Sequence, residues 1–199
     1  MGANTCLTVR ERAILDRARV GIAGAGGLGS NCAMHLVRAG LTRLVIADFD
    51  IVNESNLNRQ FYFRDQLGQK KVTALAENLR RIEPQLELEL RDIRLTRDNS
   101  ADCFADCSVI VEAFDGAAAK AMLLAALIPT GKPIVSASGL AGWGRSNEIR
   151  TRRVGENLVL VGDCASGVRA GCAPVSPRVG IAAAMEANAV MALLLGEPL

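Results

Sequence analysis

Four glycines and a polar stretch about thirty residues further on hold the side chains and backbone most able to do chemistry. Gly24, Gly26, Gly27 and Gly29 lie in Gly24-Ala25-Gly26-Gly27-Leu28-Gly29, a match to G-x-G-x-x-G. The apolar run Val20-Gly21-Ile22-Ala23 before it predicts a buried strand, and residues 28–40 after it predict a helix. Glycine suits the sharp turn between them and lets a phosphate approach the backbone closely. The helix start then presents unpaired N–H groups and a positive dipole end to that phosphate.

Asp48 closes a second apolar strand roughly twenty residues later. A carboxylate there can accept both hydroxyls of a ribose, which fits NAD and ATP equally well. The segment Ser55-Asn56-Leu57-Asn58-Arg59-Gln60 follows just beyond that strand end. In open parallel sheets ligands sit at the carboxyl ends of strands, so Arg59 can meet phosphates and Asn56 can add hydrogen bonds. Lys71, in the first turn of the next helix, can reach the same phosphates or be a solvated helix charge, as Lys70 beside it reads. Displacement at a phosphate needs such cations to neutralise the crowded phosphorus and the departing group. Asp115 follows the buried run Val109-Ile110-Val111-Glu112-Ala113 and precedes a helix. There it is either a helix N-cap or a magnesium ligand on a triphosphate.

Composition narrows the classes. The chain has 199 residues, half of them apolar, and a net charge of +2, enough for a sizeable core and too little basic charge to favour nucleic acid. No basic stretch followed by an apolar run opens the sequence, so no signal peptide is expected, and the apolar run 179–195 is interrupted by Glu186 and Asn188 and reads as a packed helix rather than a membrane span. The six cysteines, Cys6, Cys32, Cys103, Cys107, Cys164 and Cys172, form no C-x-x-C pair, which argues against structural zinc and for reduced thiols in a cytoplasmic setting. Cys103 and Cys107 read as structural. Cys164 and Cys172 flank a small-residue segment, 165–171, expected to be mobile; they are incidental thiols or a site for acyl or sulfur transfer. The one histidine, His35, reads as structural and leaves little room for His-based acid–base chemistry.

The elements that must hold these residues alternate. Helices are expected over 8–18, 28–40, 68–82 and 116–128, and strands over 20–23, 44–48, 86–93, 108–113 and 133–137. Residues 51–66 read as a loop with short helical turns. Residues 147–152 and 157–161 suggest an antiparallel hairpin about Val154-Gly155-Glu156, and a glycine-rich loop, 162–177, precedes the last helix. The pattern predicts one α/β domain over 1–199: a doubly wound, mainly parallel, Rossmann-like sheet with a C-terminal hairpin and final helix.

These residues together resemble the ubiquitin-activating superfamily, in its bacterial branch of sulfur-carrier adenylyltransferases. The resemblance covers essentially the whole chain. It rests on the glycine loop, Asp48-x-Asp50, residues 55–60, Gly68 with Lys71, Asp115, and the tail 177–184 with Glu186-Ala187-Asn188. The short length and this tail are most similar to the short form of the thiamine-pathway member. The resemblance implies that Asp48 holds the ribose, with Asp50 beside it in the nucleotide site. It gives Asn56, Arg59 and Lys71 the triphosphate, and Asp115 the magnesium. The implied substrate is a small ubiquitin-like sulfur carrier protein ending in Gly-Gly, whose C-terminal carboxylate attacks the α-phosphorus of ATP. That carboxylate is ionised at neutral pH and needs no general base. A homodimer is also implied, with Arg10 or Arg12 as candidates to act across it, and Cys172 lies about where some relatives use a cysteine for sulfur transfer. Longer relatives bind zinc through two C-x-x-C pairs, which are missing here. Two other acceptors stay open within the resemblance, a different carrier or a tRNA base. Outside it stands an NAD-dependent oxidoreductase, which would need an acid–base residue that Tyr62 and His35 do not obviously supply.

Overall fold

Alternation along each strand decides which face of the sheet every helix covers. The computed structural model describes residues 7–167 and 172–199; residues 1–6, and residues 168–171 of the expected glycine-rich loop, lie outside it. In chain order the elements are α1 (Val9–Arg17), β1 (Val20–Ala23), α2 (Gly27–Arg38), β2 (Arg43–Ala47), α3 (Lys71–Arg80), β3 (Glu87–Arg91), α4 (Ser100–Cys103), β4 (Val109–Glu112), α5 (Ala117–Leu127), β5 (Ile134–Ala137), β6 (Arg150–Val154), β7 (Leu158–Gly162) and α6 (Ser176–Leu195). The strands form one sheet in the order β3-β2-β1-β4-β5-β7-β6. Every pairing is parallel except the β6–β7 hairpin. This is the doubly wound sheet, hairpin and final helix expected from the sequence.

Val20 and Ile22, Leu44 and Ile46, and Val109 and Val111 point to one face, where they meet α2, α3 and α6. Ala23, Val45, Ala47, Ile110 and Ile134 point to the other, against Phe104 and the α5 residues Leu123 and Leu127. Both faces are therefore covered, which is why these strands read as continuous apolar runs rather than alternating ones. Each fully buried Leu or Ile contributes about 1.5–3 kcal/mol. β3 lies at the sheet edge, and its glutamates pair with arginines: Glu89 with Arg19, and Glu87 with Arg43 at 3.0 Å. Charge there blunts an exposed edge. α6 is long and apolar enough to cross a membrane by composition alone, yet half of its most apolar window is buried against the rest of the fold.

Some details differ from expectation: α3 starts at Lys71 rather than at Gly68, which turns the chain before it with φ +82°. The hairpin begins at Arg150 because Ser146–Glu148 forms a 3-10 turn. α6 takes Pro177 into its first turn, where a missing N–H costs nothing. The single turn α4 is too short to leave a periodic signal.

The chain leaves β1 toward β2 on one side and later returns to β4 on the other. That reversal opens a crevice at the carboxyl ends of the parallel strands. The glycine loop follows β1, Asp48 follows β2, and Asp115 follows β4, so all three sit on this edge.

Candidate active site

The glycine loop is built by contacts that tolerate no side chain. Gly24 has φ +97°, and a Cβ on Gly29 would lie 1.8 Å from the Gly24 carbonyl oxygen. Gly29→Ala is therefore expected to cost about 1–3 kcal/mol of stability and to weaken nucleotide binding. Gly180→Ala in α6, where a Cβ meets nothing within 4 Å, is expected to add about 0.5–1 kcal/mol. Urea midpoints of the two variants check this, and a Gly29→Ala midpoint at or above the parent's would refute the steric account. Gly26 and Gly27 start α2 with no side-chain cap, which leaves the first-turn amides for a ligand. The nearest atom to a Cβ on Gly26 is Gln60 Nε2, at 3.9 Å. Gln60 Oε1 beside it is buried without a partner. The open cradle fits a nucleotide phosphate, and the unsatisfied Gln60 oxygen beside it can accept from a nucleotide hydroxyl.

Asp48 spends one bond per oxygen on backbone amides, one of them in this loop. Oδ2 accepts from Ala25 N at 2.6 Å and Oδ1 from Asp50 N at 2.8 Å. Each oxygen keeps a lone pair for a ribose hydroxyl. Asp50 presents an exposed carboxylate that is engaged by Lys71, Nζ to Oδ2 at 3.0 Å. Lys71 is buried, and its own amide donates to Asp50 O at 2.9 Å. The segment 50–52 pairs back against 68–71, through an Ile51–Lys70 bridge and the turn at Gly68 (φ +82°). That pairing carries Lys71 inward and Lys70 outward, where Lys70 pairs with Asp92 at 3.3 Å. Lys71 thus presents a desolvated ammonium beside Asp50, two residues beyond Asp48, and can offer it to a phosphate.

Arg59 lies across the start of α2: a Cβ on Gly27 would be 3.4 Å from its Cγ. Its guanidinium donates from Nη1 to Ser55 O at 3.2 Å and Asn58 Oδ1 at 2.8 Å. Asn56 has its Oδ1 committed to a 3-10 turn, accepting from Asn53 N at 2.9 Å, so only its NH₂ can serve a phosphate. Asp115 is exposed at the head of the loop after β4. His35 sits near the end of α2, about 12 Å along the helix axis from the glycine loop. Burial and Arg38 hold its basicity below the usual range.

Several positioning residues escape a reading of sequence alone. Asn31 Nδ2 donates to Gly27 O at 2.7 Å and Arg59 O at 2.9 Å. Tyr62 donates to Ala25 O at 2.7 Å, and burial, with Asp48 and Asp50, pushes its phenol far up, so it stays a neutral donor. Gln66 and Asn78 bond each other at 3.0 Å, and Asn78 holds Phe61 O at 2.8 Å. Phe61 N in turn donates to Ser30 Oγ at 3.0 Å. These bonds clamp residues 59–62 onto α2 and α3.

Beside this site, on the same edge of the sheet, a groove of about 700 Å³ is lined by Trp143, Arg145, Asp163, Ser166, Cys172 and Arg178 among others. Arg178 is buried and donates to Asp163 Oδ2 at 2.6 Å and Gly144 O at 2.8 Å. Burial raises the Asp163 carboxyl, but bonds from Ser166 and Ala165 and the Arg178 charge outweigh it and bring it down to about 2. Cys172 faces Gly142, where a Cβ would stand 3.1 Å from its sulfur. Cys164 is exposed, and its sulfur accepts from Arg152 Nη1 at 3.4 Å.

Fold and site together define an α/β protein with a dinucleotide-type glycine loop and two cations at the switch point of its sheet. The chain belongs to the ThiF family, whose model it matches over residues 6–199. It is 28% identical over 193 residues to the adenylyltransferase and sulfurtransferase UBA4 of Candida glabrata, covering 92% of this chain and 43% of that protein. It is 34% identical over 122 residues to the probable adenylyltransferase/sulfurtransferase MoeZ of Mycobacterium tuberculosis, covering 61% of this chain and 31% of that protein. The chain spans less than half the length of these curated relatives. Among solved structures, the tRNA N6-threonylcarbamoyladenosine dehydratase of E. coli in complex with AMP superposes with a TM-score of 0.88 at 20% identity, over 98% of this chain and 93% of that one. E. coli MccB with ATP superposes with a TM-score of 0.71 at 20% identity, over 96% and 61%.

Proposed function

We propose that this chain uses ATP to adenylate the C-terminal carboxylate of a small ubiquitin-like sulfur carrier protein ending in Gly-Gly, in thiazole formation for thiamine. The observation that carries this reading is that Arg59 lies over the start of α2 while Asp48 bonds the glycine loop and the next carboxylate along, Asp50, holds buried Lys71. In the reaction a carboxylate oxygen bonds to the α-phosphorus, the bond from that phosphorus to the bridging oxygen breaks, and pyrophosphate leaves with the electron pair. The nucleophile is already an anion, so no base is required. What the protein must supply is positive charge where charge accumulates, and Arg59 and Lys71 do this. Asp48 orients the ribose, and the amides opening α2 hold phosphate oxygens.

Asp115 would hold Mg2+ on the triphosphate. Among the described residues no group of three or more His, Cys, Asp or Glu side chains gathers. A cation there takes its remaining oxygens from phosphates and water, as Mg2+ does. Cys172 on the groove wall is the candidate thiol for sulfur transfer after adenylation. The working unit is a homodimer in the cytoplasm. Arg12 donates to Gly40 O at 3.4 Å within its own fold, which leaves the exposed Arg10 as the better candidate to reach a partner.

The test is exchange of labelled pyrophosphate into ATP with magnesium and a Gly-Gly-terminated carrier. Exchange that needs the carrier, and that Asp115→Ala lowers about a hundredfold or more without lowering Tm, is the expected result. Substantial activity in Asp115→Ala removes Asp115 from the site. Exchange that needs tRNA instead would move the reading to base adenylation, which a net charge of +2 does not favour. A protein that binds NAD and not ATP would overturn the reading.

A further inference from the structure

Glu112 is a charged residue where the sheet calls for an apolar one. It ends β4 after Val109, Ile110 and Val111, pairs in register with Ala23 and Ser136, and is fully buried. A carboxylate in that setting is costly unless every oxygen is bonded. Here the bonds are made to three separate elements. Oε1 accepts from Phe114 N at 2.9 Å; Oε2 accepts from Lys120 Nζ at 2.9 Å and from Ser136 Oγ at 2.5 Å. The first bond fixes the backbone just after β4, the second fixes α5, and the third fixes β5.

The segment pinned in this way does two things at once. It carries Asp115, one residue beyond the bonded amide. It also forms the wall against which the glycine loop rests: Ala113 N donates to Ala23 O at 2.9 Å, and a Cβ on Gly24 would meet Ala113 O and the Phe114 ring at 3.1 Å each. The distance between the glycine loop and Asp115 is therefore set by the path of residues 113–115, and Glu112 holds that path. An apolar residue at 112 would pack as well and bond none of these groups.

We propose that Glu112 is a positioning residue for the triphosphate end of the site, acting through Asp115 by fixing the loop that carries it. This rests on the reading of Asp115 as the magnesium-side carboxylate. The test is a double-variant cycle on carrier-dependent pyrophosphate exchange, measured as a function of Mg2+. Glu112→Gln keeps the shape but weakens the three-way bonding. It is expected to raise the Mg2+ needed for half-maximal exchange at least tenfold, with metal-free ATP affinity changed less than threefold. In combination with Asp115→Asn it should add no further loss, because the group it positions is already gone. Ser136→Ala removes one bond and leaves the Lys120 pair intact. It should show a smaller shift in the same direction, also absorbed by Asp115→Asn, and it serves if Glu112→Gln folds poorly. Losses that multiply in the double variants, or an unchanged Mg2+ requirement, overturn the proposal while leaving the role of Asp115 standing. An Asp115→Asn variant with full activity and an ordinary Mg2+ requirement overturns the Asp115 reading and this one with it.

Discussion

Arg59→Ala should slow carrier-dependent pyrophosphate exchange about a hundred- to thousand-fold, the range for removing one donor from a developing phosphate or oxyanion charge. Its Tm should stay within about 4 °C of the parent's, because two exposed hydrogen bonds of this kind are together worth on the order of 1 kcal/mol. The bonds in question run from the guanidinium to Ser55 O and Asn58 Oδ1, both at the surface of the 55–60 turn. The turn itself is held by other groups, chiefly the Asn31 bond to the Arg59 carbonyl, which the substitution keeps. Activity and stability therefore separate at this residue. Lys71 behaves differently: its side chain is buried, so Lys71→Ala leaves a cavity as well as breaking the Asp50 pair and should lose Tm along with activity. Arg59→Lys keeps the charge and loses the planar fork, and an intermediate loss of about tenfold is expected. Exchange within threefold of the parent in Arg59→Ala would take Arg59 out of the chemistry and leave the glycine loop as a binding feature only.

The legible parts of this molecule are those fixed by local sequence. β1, β2, β4 and β5 are buried on both faces, so they appear as apolar runs without needing their neighbours. The glycine loop is readable because Gly24 and Gly29 are required by contacts within the same turn. Lys70 read as a solvated charge and is exposed, but whether Lys71 turns inward was not readable. It depends on the register between residues 50–52 and 68–71, which the Ile51–Lys70 bridge sets and no spacing in the chain reveals. That Asp50 holds Lys71 depends on the same register and was likewise not visible in the sequence. Asn31 and Tyr62 act on partners 28 and 37 residues away, across elements whose packing decides the pairing. Glu112 looked like part of an apolar strand. Its signal was the charge itself, since a lone glutamate in a run that must be buried on both faces implies bonded partners. The family matches establish the fold and the lineage. The roles of Arg59, Lys71 and Asp115 rest on the geometry and on the variants above.

Glu186→Gln should stabilise the protein, and by an amount that grows with pH. Glu186 lies in α6, fully buried, and neither carboxylate oxygen has a partner. Burial pushes its carboxyl up to about 8, against a partial offset from Lys120 and with a further push from Glu112. Cys32 on α2, whose thiol is itself driven up by burial and by Glu186, packs nearby. These are the charged and titratable groups facing it. The native protein therefore holds this proton to higher pH than the unfolded chain does. Below about pH 4.5 both states are protonated and the group contributes no difference. From there to about pH 8 the unfolded chain has released the proton while the native state keeps it, and stability falls by about 1.4 kcal/mol per pH unit. Above pH 8 the penalty is complete, on the order of several kcal/mol. Glutamine has the same shape and does not titrate, so the variant escapes the whole penalty. Its advantage should be near zero at pH 4.5, plain at pH 7 and largest near pH 8.5. Denaturant melts of both proteins at those three values measure it. An advantage that stays constant with pH would mean the carboxylate finds water or a partner in solution, and its proton would then have no bearing on stability.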